Sequence, residues 1–174
     1  MSIALLAVFI LGVFVFLLTL FLVFDVWITY AKSAPFVRSG RRKIKIMFEL
    51  AAVKPEEVVV DLGSGDGTLV IEAAGRGARA IGVEMNPLLV LISRWKARWQ
   101  NVGDLVTIVR GDMQQYSLHG ADVIFLYLMP KGMEQLQNKI VSEAKSGARI
   151  VSNAFPLPKR QPLKEIDGVY LYKI

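Results

Sequence analysis

Apolar residues are distributed unevenly along this chain, and the longest apolar run comes first. Residues 3–24, IALLAVFILGVFVFLLTLFLVF, contain no charged side chain. As a helix this segment is roughly 33 Å long, enough to cross a hydrocarbon core of about 30 Å. A cleavable signal peptide is the alternative, but it has a basic start, a shorter apolar run and a small-residue cleavage site, which this segment lacks. The pattern predicts a transmembrane anchor over residues 1–31.

Beyond the anchor, a basic connection and a helix are predicted over residues 32–53, followed by a domain over 54–174 in which strand and helix patterns alternate. The predicted strands are EVVVDL, RAIGVEM, DLVTIVRGD, ADVIFLYL, ARIVSNAF and VYLYKI. The predicted helices are DGTLVIEAAGRG, NPLLVLISRWKARWQN and KGMEQLQNKIVSEAKSG. Strands that are apolar nearly throughout and alternate with helices indicate an α/β fold, a doubly wound and mostly parallel sheet covered on both faces.

The basic residues are concentrated beside the anchor. Of 21 basic and 15 acidic residues, six basic and one acidic lie in residues 1–45, which leaves 15 and 14 for residues 46–174. The positive-inside rule therefore predicts a single-pass protein with a cytoplasmic domain, and the bilayer becomes a partner. A prokaryotic plasma membrane is preferred, with the mitochondrial inner membrane as the alternative. No nucleic-acid partner is expected, because the domain itself is nearly neutral.

Cysteine is absent and the chain has one histidine, so disulfides, thiolate metal sites and cysteine nucleophiles are excluded. No metal site is predicted. The single histidine, His119, is expected to be a solvated loop residue rather than a catalytic one.

The segment VVVDLGSGDG places Gly63, Gly65 and Gly67 directly after the first predicted strand. In a doubly wound sheet, ligands bind beyond the carboxyl ends of the strands, and glycines let the backbone approach them closely. A glycine-rich turn without a ligand is the alternative, but it leaves Asp61 as an unexplained carboxylate at the end of a buried strand. The segment is therefore a candidate ligand-binding loop.

Acidic residues around this loop restrict the ligand. Asp61 and Asp66 would repel the pyrophosphate of a dinucleotide and suit a ligand with a positive charge and hydroxyl groups. Glu84 ends the second strand, where a carboxylate accepts hydrogen bonds from ribose hydroxyls. Asp112 follows the third strand, where it is placed to accept from an exocyclic amine.

Asp61-x-Gly-x-Gly-x-Gly, Glu84 and Asp112 resemble the S-adenosylmethionine site of the class I, seven-β-strand methyltransferases. The resemblance implies that Asp61 and the loop hold the amino-acid moiety, Glu84 the ribose and Asp112 the adenine. The predicted cofactor-binding residues are Asp61, Gly63, Ser64, Gly65, Asp66, Gly67, Glu84, Met85, Asp112 and Met113.

A narrower resemblance extends over residues 30–174. The apolar helix, PFV (35–37), GVEMNPLLV, FLYLMP and NAFPLP are similar to the ATP synthase c-subunit lysine methyltransferases of mitochondria and their small prokaryotic relatives. This chain ends soon after its last predicted strand, and no helix is predicted between the fifth strand and that last one. We therefore expect a sheet that is reduced at the C-terminus.

The acceptor side is predicted from the chemistry of methyl transfer. Transfer from a sulfonium needs alignment and a neutral nucleophile, and an apolar channel lowers the pKa of an acceptor lysine by desolvation. Tyr127, Phe155 and Phe36 are candidates for that channel, with core packing as the alternative. Asn153 is a candidate for orienting the acceptor, with backbone pairing as the alternative. The motif at Tyr127, Tyr-Leu-Met-Pro, replaces Asn-Pro-Pro-Tyr and argues against an amide or base-amine acceptor.

Three functions agree with these features. The preferred one is a membrane-anchored, S-adenosylmethionine-dependent methyltransferase acting on lysine in a membrane-associated protein. The alternatives are methylation of a lipid or quinone headgroup, and a non-catalytic cofactor-binding module.

Overall fold

The computed structural model describes residues 3–32 and 39–174. The chain divides into two compact units, Met1–Pro35 and Phe36–Ile174. The channel candidate Phe36 and the whole PFV segment lie outside the described residues, so these interpretations stay predictions.

The first unit contains one helix, α1 (Ile3–Lys32). Within it, Ala4–Phe24 is the one stretch in the described parts of the chain that is long and apolar enough to cross a membrane. Its side chains are exposed along the whole stretch, as expected for a helix that has no other element of its own unit to pack against. Length and composition therefore suit a membrane span.

The second unit is a seven-stranded sheet with helices on both faces. Its helices are α2 (Arg41–Ala51), α3 (Thr68–Gly75), α4 (Pro87–Trp99) and α5 (Pro130–Glu143). Its strands are β1 (Val58–Leu62), β2 (Arg79–Glu84), β3 (Val106–Arg110), β4 (Val123–Leu126), β5 (Arg149–Asn153), β6 (Lys164–Ile166) and β7 (Val169–Lys173). The strand order is β3-β2-β1-β4-β5-β7-β6.

The first five strands are parallel, and β7 runs antiparallel to both of its neighbours. Strand order reverses between β1 and β4, so their carboxyl ends form the switch point at which ligands bind. In the register, Asp61 lies opposite Gly82 on one side and Phe125 on the other. The loop after β1 therefore occupies the switch point.

Two apolar clusters cover the two faces of the sheet. One contains buried residues of α2, α3 and α4, and in it Phe48 of α2 forms a tilted ring pair with Phe125 of β4, with centroids 5.1 Å apart. The other, which we call the α5 cluster, contains the buried face of α5, with Met133, Leu136 and Ile140. The alternation of strands and helices thus produces the predicted doubly wound fold.

The expectation of a reduced sheet is wrong. The sheet has seven strands, and the one absent from the sequence prediction is β6, with the sequence Lys-Glu-Ile. This strand pairs only with β7 at the sheet edge, and two of its three side chains are exposed. Without an apolar run, it has no pattern that distinguishes it from a loop. The expected lack of a helix holds for residues 154–163, all of them described.

Candidate functional site

The glycine loop turns back over the end of β2. Gly63, Gly65 and Gly67 have φ values of 83°, 54° and 77°, in the left-handed region that favours glycine. The backbone N–H groups of Gly63 and Ser64 donate to the carbonyl oxygen of Val83 at 2.9 and 3.0 Å. Each of the three glycines therefore adopts a backbone conformation that other residues adopt only rarely.

Two small residues outside the motif make room for this loop. A Cβ at Gly82 would lie 2.6 Å from Ser64 Oγ, and a Cβ at Gly67 would lie 2.8 Å from Ser93 Cβ. Ser93 Oγ also donates to the carbonyl oxygen of Gly65 at 2.9 Å. Sequence reasoning missed Gly82 and Ser93, and the only available signal was a small residue in an otherwise apolar strand or helix.

Asp61 is a buried carboxyl group for which the described residues supply no hydrogen-bond donor. Its side chain is 4% exposed at the end of β1. Burial, followed by the negative charges of Glu84 and Asp66, raises the pKa of Asp61 to about 7. A cationic group placed beside Asp61 would favour its ionised form. The environment thus suits a positively charged ligand.

Both carboxylate oxygens of Glu84 are held by the backbone. Oε2 accepts from the N–H of Gly65 at 2.9 Å, and Oε1 accepts from the N–H of Asn86 at 2.8 Å. A carboxylate has about four acceptor positions, so two remain for a ligand. Glu84 is therefore fixed in orientation and still able to accept from hydroxyl groups.

Asp66 has partners within the protein on both oxygens. Oδ1 accepts from the hydroxyl of Thr68 at 2.6 Å, at the start of α3, and Oδ2 lies 2.6 Å from Lys96 Nζ on α4. These contacts hold the loop against two helices. The cofactor contact predicted for Asp66 stays a prediction. The contacts that the structure shows for Asp66 hold the glycine loop in place. Lys96 is a third residue that the sequence did not indicate.

The remaining predicted cofactor residues follow β2 and β3. Asp112 is partly buried, and its Oδ1 accepts from the N–H of Gln114 at 2.8 Å, which closes a tight turn. Met85 and Met113 are also partly buried, and Met113 packs against the α5 cluster. All three lie at the carboxyl edge of the sheet, beside the glycine loop in strand order.

The predicted acceptor residues follow β4 and end β5. Because Leu62, Leu126 and Ser152 lie in one row of the register, the next positions along, Gly63, Tyr127 and Asn153, form the row at the edge of the site. Tyr127 is partly buried there.

Asn153 has an unusual environment for a buried amide. Its side chain is 3% exposed, and its Nδ2 donates to Ser39 Oγ at 3.3 Å. Its Oδ1 has no hydrogen-bond partner among the described residues, and Ser64 Oγ in the glycine loop is the other buried side-chain atom in this condition. Unpaired buried polar atoms are uncommon, and two of them border one site.

The other candidates are placed differently. The partly buried Phe155 packs against the α5 cluster, and its carbonyl oxygen accepts from Ser152 Oγ at 2.6 Å. Its place in the acceptor channel stays a prediction. His119 is exposed in the loop before β4, as expected. The described residues contain no group of three or more acidic or histidine side chains arranged to hold a metal ion.

This geometry agrees with the comparisons to known proteins. The model of the ANTKMT methyltransferase domain matches residues 61–164, from the carboxylate at the end of β1 to the start of β6. The chain belongs to this family. The predicted family resemblance is thereby confirmed, together with the class I methyltransferase fold.

Two relatives illustrate the family. The ATP synthase c-subunit lysine N-methyltransferase of Mus musculus is 33% identical over 158 residues, which cover 82% of this chain and 64% of the mouse protein. A protein-lysine N-methyltransferase of Saccharolobus islandicus is 31% identical over 156 residues, covering 84% of this chain and 97% of the archaeal protein. This chain thus spans less than two thirds of the mouse relative's length.

A solved structure of an RNA methyltransferase from Salinibacter ruber, in complex with S-adenosyl-L-homocysteine, superposes with a TM-score of 0.76. It is 34% identical, and the match covers 79% of this chain and 94% of that one. S-adenosylhomocysteine is S-adenosylmethionine without its transferable methyl group. This similar structure therefore contains the product of the cofactor that the sequence predicts.

The residues of this chain fit that cofactor. Asp61 has no internal cationic partner within hydrogen-bond distance among the described residues, which suits the cofactor's amino group. Ser64 Oγ is a buried polar atom without a partner in the described chain, and Glu84 keeps free acceptor positions beside the loop. The assignment of individual residues to parts of the cofactor remains a prediction.

Proposed function

We propose that this protein is a membrane-anchored methyltransferase that transfers a methyl group to a lysine side chain of a membrane-associated protein. The observation that carries the proposal is the buried, unpaired Oδ1 of Asn153 in the same row as the glycine loop. The mouse and archaeal relatives, which are named as lysine N-methyltransferases, support the choice of acceptor.

S-adenosylmethionine, when bound, supplies a methyl group on a positively charged sulfur. Asp61 and the glycine loop would hold its amino-acid end, Glu84 its ribose and Asp112 its adenine. The protein's own contribution is to fix the orientation of these groups, and the backbone contacts to Glu84 and the Ser93 contact to Gly65 supply that rigidity.

An acceptor lysine must lose a proton before it attacks. Burial beside Tyr127 and Phe155 would lower the pKa of its ammonium group, because a charged amine is costly in an apolar channel. The Oδ1 of Asn153 would then accept one N–H of the neutral amine and align its lone pair. This use removes the energetic cost of an unpaired amide oxygen at a buried position.

The membrane part of the proposal rests on α1 and on charge. The apolar stretch Ala4–Phe24 has the length of a span. The six basic and one acidic residues within residues 1–45 favour a cytoplasmic position of the C-terminal domain. A prokaryotic plasma membrane stays the preferred location, with the mitochondrial inner membrane as the alternative.

The test is a labelling experiment with membranes from cells that lack the protein. The full chain, purified in detergent, is incubated with these membranes and methyl-labelled S-adenosylmethionine, and the protein, lipid and RNA fractions are separated. We expect label in a discrete protein band that releases methyl-lysine on hydrolysis. Label confined to the lipid or RNA fraction would overturn the lysine assignment, and no transfer at all would favour a non-catalytic module.

The variant that tests the acceptor side of the site is Asn153→Ala. It removes the proposed acceptor contact and leaves the cofactor side of the site intact. We expect much slower labelling of the same protein band.

A further inference from the structure

The outward face of α4 is apolar. Leu88, Leu91, Trp95 and Trp99 recur at helical spacing and are 57%, 64%, 63% and 73% exposed. We call these four residues the α4 stripe. The two indole rings stack with centroids 6.1 Å apart and an interplanar angle of 8°. Four large exposed apolar side chains in one row form a patch of the kind that marks an interaction site.

The stripe is not the core-facing side of the helix. Val90, Ser93 and Ala97 are buried and lie on the opposite side, toward the sheet. A surface helix of a globular domain normally has polar side chains on its outer face, so α4 is apolar on two faces. Core packing therefore explains only one of them.

The charges on α4 are all positive. The helix contains Arg94, Lys96 and Arg98 and no acidic residue. At 100° per residue, Lys96 and Arg98 flank the stripe on its two sides. Lys96 is paired with Asp66, and Arg94 Nη2 donates to the carbonyl oxygen of Ile108 at 2.7 Å. Arg98 forms no ion pair within the described residues. The stripe is thus an apolar row with a basic border at Arg98.

We propose that the α4 stripe inserts into the headgroup region of an anionic bilayer. Tryptophan places an apolar ring and a polar N–H at the boundary between hydrocarbon and water, and arginine extends along apolar surface with its charge in the headgroups. An apolar face with basic borders is the pattern of helices that lie in the membrane interface. Anionic lipid also attracts basic side chains that lie near the bilayer surface.

The covalent connection between α1 and α2 favours a bilayer, rather than a soluble partner, as the surface that the stripe contacts. Residues 33–40 alone join the end of α1 to the start of α2. At full extension they reach about 28 Å, so a membrane-spanning α1 would hold the domain close to the bilayer. Since α2 and α4 pack on the same face of the sheet, the chain enters the domain on the face that has the stripe.

The start of α2 adds positive charge to this face. Its first five residues are Arg41, Arg42, Lys43, Ile44 and Lys45. Asp167 pairs with two of the four basic side chains and Glu49 with a third, which leaves a net positive charge. The face that carries both α2 and α4 therefore complements an anionic membrane surface at two places.

The test uses spin labels in the full chain reconstituted into lipid nanodiscs. Because the chain has no cysteine, Leu91→Cys introduces a single labelling site in the stripe. Val141→Cys is the matched control, since Val141 is an exposed apolar residue on α5, on the opposite face of the sheet. The measurement compares the accessibility of each label to oxygen, which partitions into lipid, and to a water-soluble nickel complex.

With phosphatidylglycerol in the nanodisc, we expect the label at position 91 to be several-fold more accessible to oxygen, and less accessible to nickel, than the label at 141. Arg98→Gln should reduce this difference.

Equal accessibility at the two positions would overturn the proposal. Protection of position 91 from both reagents would also overturn it, because a protein surface would then cover the stripe. A chain that does not co-purify with nanodiscs would refute the membrane contact as well. None of these readouts depends on methyl transfer.

Discussion

The hydroxyl group of Ser93, in the middle of α4, donates a hydrogen bond to the carbonyl oxygen of Gly65 at 2.9 Å. The same hydroxyl oxygen lies 2.8 Å from the carbonyl oxygen of Leu89, one turn earlier in α4. Ser93 is fully buried, and its Cβ occupies the space that a side chain at position 67 would need. One small polar residue thus sets both how closely the glycine loop approaches α4 and how the loop is oriented.

We expect Ser93→Ala to weaken cofactor binding. The change leaves the Gly65 carbonyl without its donor, and a buried hydrogen bond contributes about 1 kcal/mol. The dissociation constant for S-adenosylhomocysteine should therefore rise about fivefold, as measured by calorimetry. Ser142→Ala, which removes a hydroxyl on the exposed side of α5, is the control and should leave binding unchanged. Equal affinities for both variants would show that the Ser93 contact does not position the loop.

Gly82→Ala should disturb the loop from below. The new Cβ would lie 2.8 Å from Ser64 Cβ and 3.0 Å from Ile108 Cδ1, so the loop or strand must shift. Overpacking of this kind costs about 1–3 kcal/mol. We expect a lower melting temperature and roughly tenfold weaker cofactor binding.

The control for that substitution is Gly75→Ala, at the end of α3. A Cβ there meets no atom within 4 Å, and alanine is a better helix former than glycine. This variant should be as stable as the native chain or slightly more so. If both alanine variants behave alike, the steric account of Gly82 fails.

The pKa of Asp61, raised to about 7 by burial and by the charges of Glu84 and Asp66, predicts a pH dependence of stability. Between the ordinary pKa of 3.8 and 7, the folded protein keeps a proton that the unfolded chain has released. Stability from this group is therefore complete below pH 3.8 and decreases as the pH rises to 7, by at most about 1.4 kcal/mol per pH unit. Urea unfolding of the full chain between pH 5 and 8 measures this slope, which Asp61→Asn should remove.

Cofactor binding should have the opposite pH dependence. A cationic amino group binds the ionised carboxylate, so affinity should increase as the pH rises toward 7 and level off above it. Calorimetry with S-adenosylhomocysteine at pH 6, 7 and 8 tests this. An affinity that is constant over this range would mean that the ionisation of Asp61 is not coupled to binding.

Asn153→Ala separates the acceptor side from the cofactor side. The substitution removes the Oδ1 that has no partner in the described residues, so affinity for S-adenosylhomocysteine should be unchanged. The value of kcat/KM for the protein acceptor should fall about 10- to 100-fold, which is the loss of one well-placed hydrogen bond to the reacting amine. Ser39→Ala removes only the partner of Nδ2 and should have a smaller effect. Equal loss of cofactor affinity would instead make Asn153 a structural residue.

The parts of the fold that follow from local pattern were predictable. The β-branched run at Val58–Val60 and the glycines after it define β1 and its loop without any knowledge of the rest of the chain. Asn86 before Pro87 marks the start of α4, where the asparagine side chain accepts from two backbone N–H groups. These signals depend only on neighbouring residues.

The features that sequence reasoning missed depend on distances between elements. Gly82 matters because Ser64 lies above it, and Lys96 matters because Asp66, thirty positions earlier, lies 2.6 Å away. The strand β6 is defined by its pairing with β7 rather than by its composition. The outward orientation of Trp95 likewise becomes visible only when the buried side of α4 is known.

Calorimetric titration of S-adenosylhomocysteine into the native chain and into Asp61→Asn tests most directly whether the glycine loop and Asp61 form the cofactor site. The variant has nearly the same shape and lacks the charge. We predict at least tenfold weaker binding at pH 8, with folding preserved because the charge of Asp61 is costly in the folded state. If Asp61→Asn binds as tightly as the native chain, the cofactor's amino group does not contact Asp61, and the assignment of the site is wrong.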